Sequence, residues 1–257
     1  DATADASGAS ATALPRLAAG ANFNLTAASG TPGYDGTPTI SAAPINATPI
    51  EWLAAPAGVG TLGGSFTAAA PLDGTASGTF TYSEVGYFRF QARGVADATY
   101  TAAYQDGSDT VCQKNAAGAD AFANTANAAG KVGCLFGNTA ATNHFGRFFP
   151  DHFDVAVTEG CAAGTFTYSG QPFGATVTAR NAAGGATANY QGASYARATT
   201  LTARNAGDTA ANPGAGALAG EAIGAAAFTG GVATITAATV PALTYTVPTA
   251  TTPTVVR

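Results

Sequence analysis

Residues 85–95 read VGYFRFQARGV, and their alternation decides the fold class. Successive side chains of an extended chain point to opposite faces. Phe88, Phe90 and Ala92 therefore share one face, and Tyr87, Arg89, Gln91 and Arg93 take the other. This is the signature of a half-buried β-strand. ATYTAAY (98–104) follows with Tyr100, Ala102 and Tyr104 on one face, so the two segments are expected to be consecutive antiparallel strands.

The same pattern recurs along the chain. In the first half it marks NFNLTAA (22–28), PIEWLA (49–54), GSFTAAA (64–70) and GTFTYSE (78–84). In the second half it marks HFDVAV (152–157), GTFTYS (164–169), FGATVTARN (173–181), TTLTARN (199–205), GVATITAA (231–238) and ALTYTV (242–247). Turn-forming Gly, Pro, Asn and Asp separate the segments every several residues, which outweighs the helical pull of the many alanines. Many short strands with glycine-rich turns predict an all-β protein of tandem immunoglobulin-like β-sandwiches rather than a βαβ sheet.

Two local patterns support that reading. FNLTAASGTPGYDGTPT (23–39) and FGATVTARNAAGGATANYQGAS (173–194) share a phenylalanine, a strand ending Thr-Ala, a glycine-containing turn and then Tyr-x-Gly, a weak internal repeat. In immunoglobulin-like domains the turn into strand F often reads acidic, x, Gly, x, Tyr, x, Cys; here those positions hold Glu84, Gly86, Phe88 and Phe90. A sandwich without the inter-sheet disulfide can fill that space with the second ring. Trp52, the only tryptophan, shares a strand face with Ile50 and Ala54, as a core tryptophan would.

The expected organisation is a flexible lead-in over residues 1–20, a first sandwich over 21–110, a connector over 111–147 and a second sandwich over 148–257. Cys112 and Cys134 bracket a Gly/Ala/Asn-rich stretch that would be floppy if left open, so a disulfide is expected there. This favours an oxidising compartment. Cys161 is then left free and buried or paired outside the chain, and other pairings of the three cysteines remain open. A short helix is expected from about Asp120 to Gly130, and Pro213 can open another in the loop 207–227. The tail 246–257 carries Pro248 and Pro253, which keep it from serving as a central strand.

Composition narrows the function. Only 10% of the 257 residues are charged, against roughly 25% in ordinary soluble proteins, so Thr, Ser, Asn and Gly must dress the surface. A net charge of −5, with Lys114 and Lys131 the only lysines, offers no basic stripe for nucleic acid or anionic membranes. No apolar run approaches the roughly 20 residues of a membrane helix. The chain starts at Asp1 without a signal-peptide pattern and is read as a piece of a longer precursor.

GRFFPDHFDV (146–155) gathers rings, a histidine and two aspartates around one proline. Phe148, Phe149, Pro150, His152 and Phe153 are read as an interdomain joint. Pro150 holds Phe149 extended, the two rings pack against the first domain, and a new strand begins at His152 with Phe153, Val155 and Val157 on one face. A metal site from His144, Asp151, His152 and Asp154 is the rival reading; it lacks H-x-H or H-x-x-x-H spacing, and a strand would point Asp151 and His152 to opposite sides.

At this point the sequence resembles a known family. GRFFPDHFDV, followed by Cys161, FTYSGQPF (166–173) and VTARNAAGGATANYQG (177–192), is similar to the β-rich region of MshQ-like proteins, with YSEVGYFRFQA and the connector upstream in the same order. The resemblance covers residues 75–195 well and the flanks loosely. Such proteins are encoded with MSHA-type type IV pilus systems and occur as long surface proteins of other proteobacteria. The resemblance implies an extracellular, pilus-associated or adhesive role at the cell surface, and carries no catalytic residues.

Chemistry-bearing motifs are sparse. QDGSD (105–109), with Asp106 and Asp109, is read as a hairpin turn, since a calcium loop would need alternating oxygen ligands and a closing glutamate. There is no G-x-S-x-G elbow and no phosphate loop, and Glu51, Glu84, Glu159 and Glu221 are the only glutamates. No catalytic residue, metal or cofactor is therefore assigned, and the chain is not expected to be an enzyme. The expected function is structural or adhesive. Its partners would be other copies of itself or pilus and cell-surface proteins, with β-strand addition as the means of assembly. The alternative is a non-polymerising carbohydrate-binding module using Tyr82, Tyr87, Tyr100, Tyr104, Tyr190 or Tyr195 to stack on surface glycans.

Overall fold

A computed structural model describes residues 17–30, 32–40, 50–52, 58, 60–97, 113, 116, 127–131, 136–161, 163, 165–204 and 215–248. The described chain is almost wholly β, with one helical turn at Gly192–Tyr195 and a 3-10 turn at Ala225–Ala227. It divides into two compact units, Asp1–Ala55 with Val59–Phe149, and Pro56–Gly58 with Pro150–Arg257. The expected strand 98–104, the disulfide pair Cys112 and Cys134, the turn at Asp106 and Asp109, the body of the helix near Asp120, the turn at Pro213 and the tail beyond residue 248 lie outside the described residues, as does the side chain of Trp52.

In the first unit, β1 (Leu17–Ala18), β10 (Phe145–Phe149), β7 (Gly86–Phe90) and β4 (Ile50–Trp52) form one sheet in that order. A second sheet places β6 (Thr75–Tyr82) between β2 (Phe23–Ala28) and β5 (Leu62–Phe66). A third small sheet runs β3 (Thr39–Ile40), β8 (Val95–Asp97), β9 (Phe136–Gly137). Period-2 alternation puts Phe88 and Phe90 of β7, Phe23 and Leu25 of β2, and Phe80 and Tyr82 of β6 in one buried cluster, and a register shift in β10 brings both Phe145 and Phe148 into it. Rings meet from different sheets, Phe23 on Phe148 at 5.3 Å and Tyr82 on Phe88 at 4.8 Å between centroids, giving the unit a sandwich-like interior. Each such ring removes a large apolar area from water, the main favourable term of the fold. Gly86 opens β7 at φ 105°, which a side chain would strain, so the glycine of the sequence signature has a backbone reason.

This arrangement moves two expected boundaries. Phe136 and Phe145 pack against the ring cluster, so the last part of the expected connector 111–147 belongs to the first unit. Phe148 is buried in that same cluster, and β10 runs to Phe149, so the division falls between Phe149 and Pro150 rather than before Phe148.

The second unit is built on β12 (Pro172–Arg180). One side of it pairs antiparallel with β11 (His152–Thr158) over seven residues, from His152 opposite Arg180 to Thr158 opposite Gly174. The other side is shared by β17 (Leu243–Thr246) and β16 (Val232–Ile235), and β14 (Ala217–Ala219) pairs with β17 beyond. A separate pair, β13 (Thr199–Thr200) with β15 (Ala222–Ile223), completes the strands. Ala175, Val177, Ala179, Ala233, Ile235 and Leu243 form a buried face, and Tyr190 meets Phe228 at 5.0 Å. The turn after β12 is held by Asn181, whose Oδ1 accepts the N–H groups of Ala183 and Gly185.

Two expected strands shorten. Among the described residues the only named strand in TTLTARN is Thr199–Thr200, and GTFTYS makes the isolated bridge between Cys161 and Phe166. In the latter the side chains capture the backbone: Thr167 Oγ1 accepts the Gly160 N–H and bonds Glu159, and Gln171 Oε1 accepts the Tyr168 N–H. Such local bonds compete with a strand ladder.

Candidate functional site

Strand β11 is the feature of the second unit that stands apart. Its sequence HFDVAVT alternates as a half-buried strand should, yet every one of its seven residues is exposed. Phe153, Val155 and Val157 lie opposite Ala179, Val177 and Ala175, which are buried, so they point to the same face as the core. They nevertheless keep 37%, 50% and 50% of their surface in solvent. Phe153 is partly sheltered by Tyr190 at 5.5 Å and Phe228 at 6.0 Å. β11 pairs only with β12 among the described strands, which leaves its outer edge with backbone groups on offer.

The opposite face of β11 is polar and already neutralised. Asp154 accepts a hydrogen bond from Arg180 Nε at 2.8 Å, and His152 Nε2 lies 3.7 Å from its other carboxylate oxygen. Asp151 reaches His152 Nδ1 at 2.8 Å, where opposite orientations were expected. Asp151 sits in the bend before the strand, so the strand rule does not apply to it. His144 stands edge-on to Tyr87 in the first unit. Among the described residues no group of three or more His, Cys, Asp or Glu side chains is placed to hold a metal ion.

Beyond β11 the hairpin 159–171 carries two exposed rings that the tyrosine-based expectation passed over. Phe166 and Tyr168 meet edge to face at 5.1 Å and keep 46% and 65% of their surface in solvent. Of the tyrosines singled out for sugar stacking, Tyr82 and Tyr190 are buried in the cores, and Tyr87 and Tyr195 are half-buried. Tyr100 and Tyr104 lie outside the described residues. Cys161 is a free, half-buried thiol at the base of the hairpin, bridged through its backbone to Phe166.

The joint residues separate cleanly by unit. Phe148 is core of the first, Phe149 is exposed at the end of β10, and Phe153 belongs to the second. In the first unit a cavity of about 270 Å³ lies among Leu25, Phe66, Phe90, Val95, Phe136 and Phe145. The buried carboxylate at its wall, Asp97, accepts a 2.6 Å hydrogen bond from Tyr34 Oη, and Asn138 is bonded to the backbone of Gln91, Val95 and Ala140. Its polar groups serve the fold.

A family model, the third domain of DUF6701, matches residues 84–255, from just after β6 to beyond β17. The chain belongs to the DUF6701 family. No curated protein and no solved structure matches it. The DUF6701 match contains β7, β10, β11, β12 and the exposed hairpin, so the edge strand lies within the shared family sequence.

Proposed function

We propose that this DUF6701 chain is a non-enzymatic structural or adhesive protein of a bacterial surface, pilus-associated or part of a surface filament, that assembles by β-strand addition at β11. Tandem immunoglobulin-like sandwiches, an extracellular location and a Cys112–Cys134 disulfide belong to the same reading, supported by the sequence resemblance to MshQ-like pilus-linked proteins. The carrying observation is the exposed edge of β11 beside three half-exposed apolar side chains on the core face. An added strand would meet main-chain hydrogen-bonding groups along the edge and apolar surface for alternate side chains, the two components of strand-addition recognition. The test is to compare wild type with Val155→Asp in the producing bacterium, by protease shaving of intact cells and electron microscopy. Surface-accessible wild type in assemblies that exclude the variant is the expected result. Intracellular retention of wild type, or equal incorporation of Val155→Asp, contradicts the reading.

A second reading has its own observation. Phe166 and Tyr168 are the most exposed rings of the second unit, flanked by the polar Thr167, Ser169 and Gln171, which suits a carbohydrate face. A glycan array with wild type and Tyr168→Ala checks it: selective binding lost in the variant supports a carbohydrate-binding module, and identical profiles oppose it.

A further inference from the structure

Resting on strand addition at β11, we infer that the added strand is β11 of a second copy, paired antiparallel about a two-fold axis through Val155. Side chains can share a face across such a pair only if the axis passes through a residue. Three central positions are available, and they differ in chemistry. An axis at Asp154 sets two Asp154 carboxylates opposite each other. An axis at Ala156 puts Phe153 opposite position 159, past the end of β11 at Thr158, and so leaves the aromatic ring outside the ladder. The axis at Val155 sets Val155 opposite Val155, Phe153 opposite Val157, Asp154 opposite Ala156 and His152 opposite Thr158.

That last register is self-complementary on both faces. Its apolar face joins an aromatic to a β-branched side chain twice and two valines once, pairings that stabilise adjacent strands. These are the same Phe153, Val155 and Val157 that one copy leaves 37–50% exposed. On the polar face no like charges stand opposite, and each Asp154 is already paired with its own Arg180. Past the seven paired residues, Asp151 turns to His152 and Glu159 to Thr167, so neither acid extends the ladder. The two sheets become one, and the isologous contact closes on itself as a dimer.

Sedimentation equilibrium of the chain under reducing conditions tests this. The wild type is expected to dimerise with concentration, and Val155→Asp, which sets two carboxylates on the axis, is expected to stay monomeric over the same range. Ala156→Lys faces Asp154 of the second copy and should tighten the dimer, while Ala156→Asp should weaken it by about tenfold through two like-charge pairs. Ala156 is exposed, and unchanged circular dichroism shows that these variants still fold. A wild type that stays monomeric, or Ala156→Lys and Ala156→Asp shifting the dimer equally, overturns the pairing. A monomeric wild type whose surface assembly is still blocked by Val155→Asp would overturn self-pairing alone and leave strand addition by another donor standing.

Discussion

The two units hold edge strands of similar length and opposite character. Among the described strands β2 pairs only with β6, yet its Phe23 and Leu25 are buried among the rings of a facing sheet. β11 likewise pairs only with β12 among the described strands, and its Phe153, Val155 and Val157 stay half in solvent although they point to the core side. Edge position alone thus does not expose a strand's inward face. The difference lies in whether something covers the inward face, and an uncovered one keeps both backbone groups and apolar surface for a partner.

Truncating rings in the covered unit should give the largest effects. Phe88→Ala removes a fully buried ring that touches Tyr82, Phe90, Phe145 and Phe148, and is expected to cost about 3–5 kcal/mol in denaturant unfolding. A sharper comparison lies within one cross-strand pair, since Val155 stands opposite Val177. Val177→Ala should cost about 2 kcal/mol, whereas Val155→Ala at low concentration should cost under about 1 kcal/mol. Equal losses would mean that β11 is as well packed as β12. Tyr34→Phe, which takes one hydrogen-bond donor from the buried Asp97, should cost about 1–2 kcal/mol by the same measurement.

The smallest effect concerns pH. Burial holds the Tyr245 phenol above its ordinary range, partly offset by a hydrogen bond with the Gly216 backbone. An acid whose folded pKa is raised keeps its proton better when folded, so its contribution is complete below about pH 10 and fades as pH rises through the folded value. Thermal melts should therefore show the loss of wild-type stability above pH 10 reduced in Tyr245→Phe. An identical decline in both would remove Tyr245 as a source.

Many of the strands themselves could be read from alternation, though not their order in the sheets. VGYFRFQARGV buries Phe88 and Phe90 as expected. What alternation reports is direction, not cover: HFDVAV has the same pattern whether or not anything lies over Val155. Nor does it weigh side chains that bond their own backbone, so FTYS reads as a strand until Thr167 and Gln171 are seen holding a hairpin. The sequence reading places the change of unit before Phe148, two residues ahead of the division at Pro150. The place of Phe148 in the first core was less legible, because rings on either side of a proline look alike in sequence.

Residue-resolved amide hydrogen exchange of β11 by NMR, from dilute to concentrated chain, tests the open edge most directly. Amides of residues 152–158 should alternate when dilute, those bonded to β12 protected and those facing outward exchanging freely, and the outward set should gain protection as concentration rises. Uniform protection of all seven at the lowest concentration would contradict the account, because the edge would then already be closed.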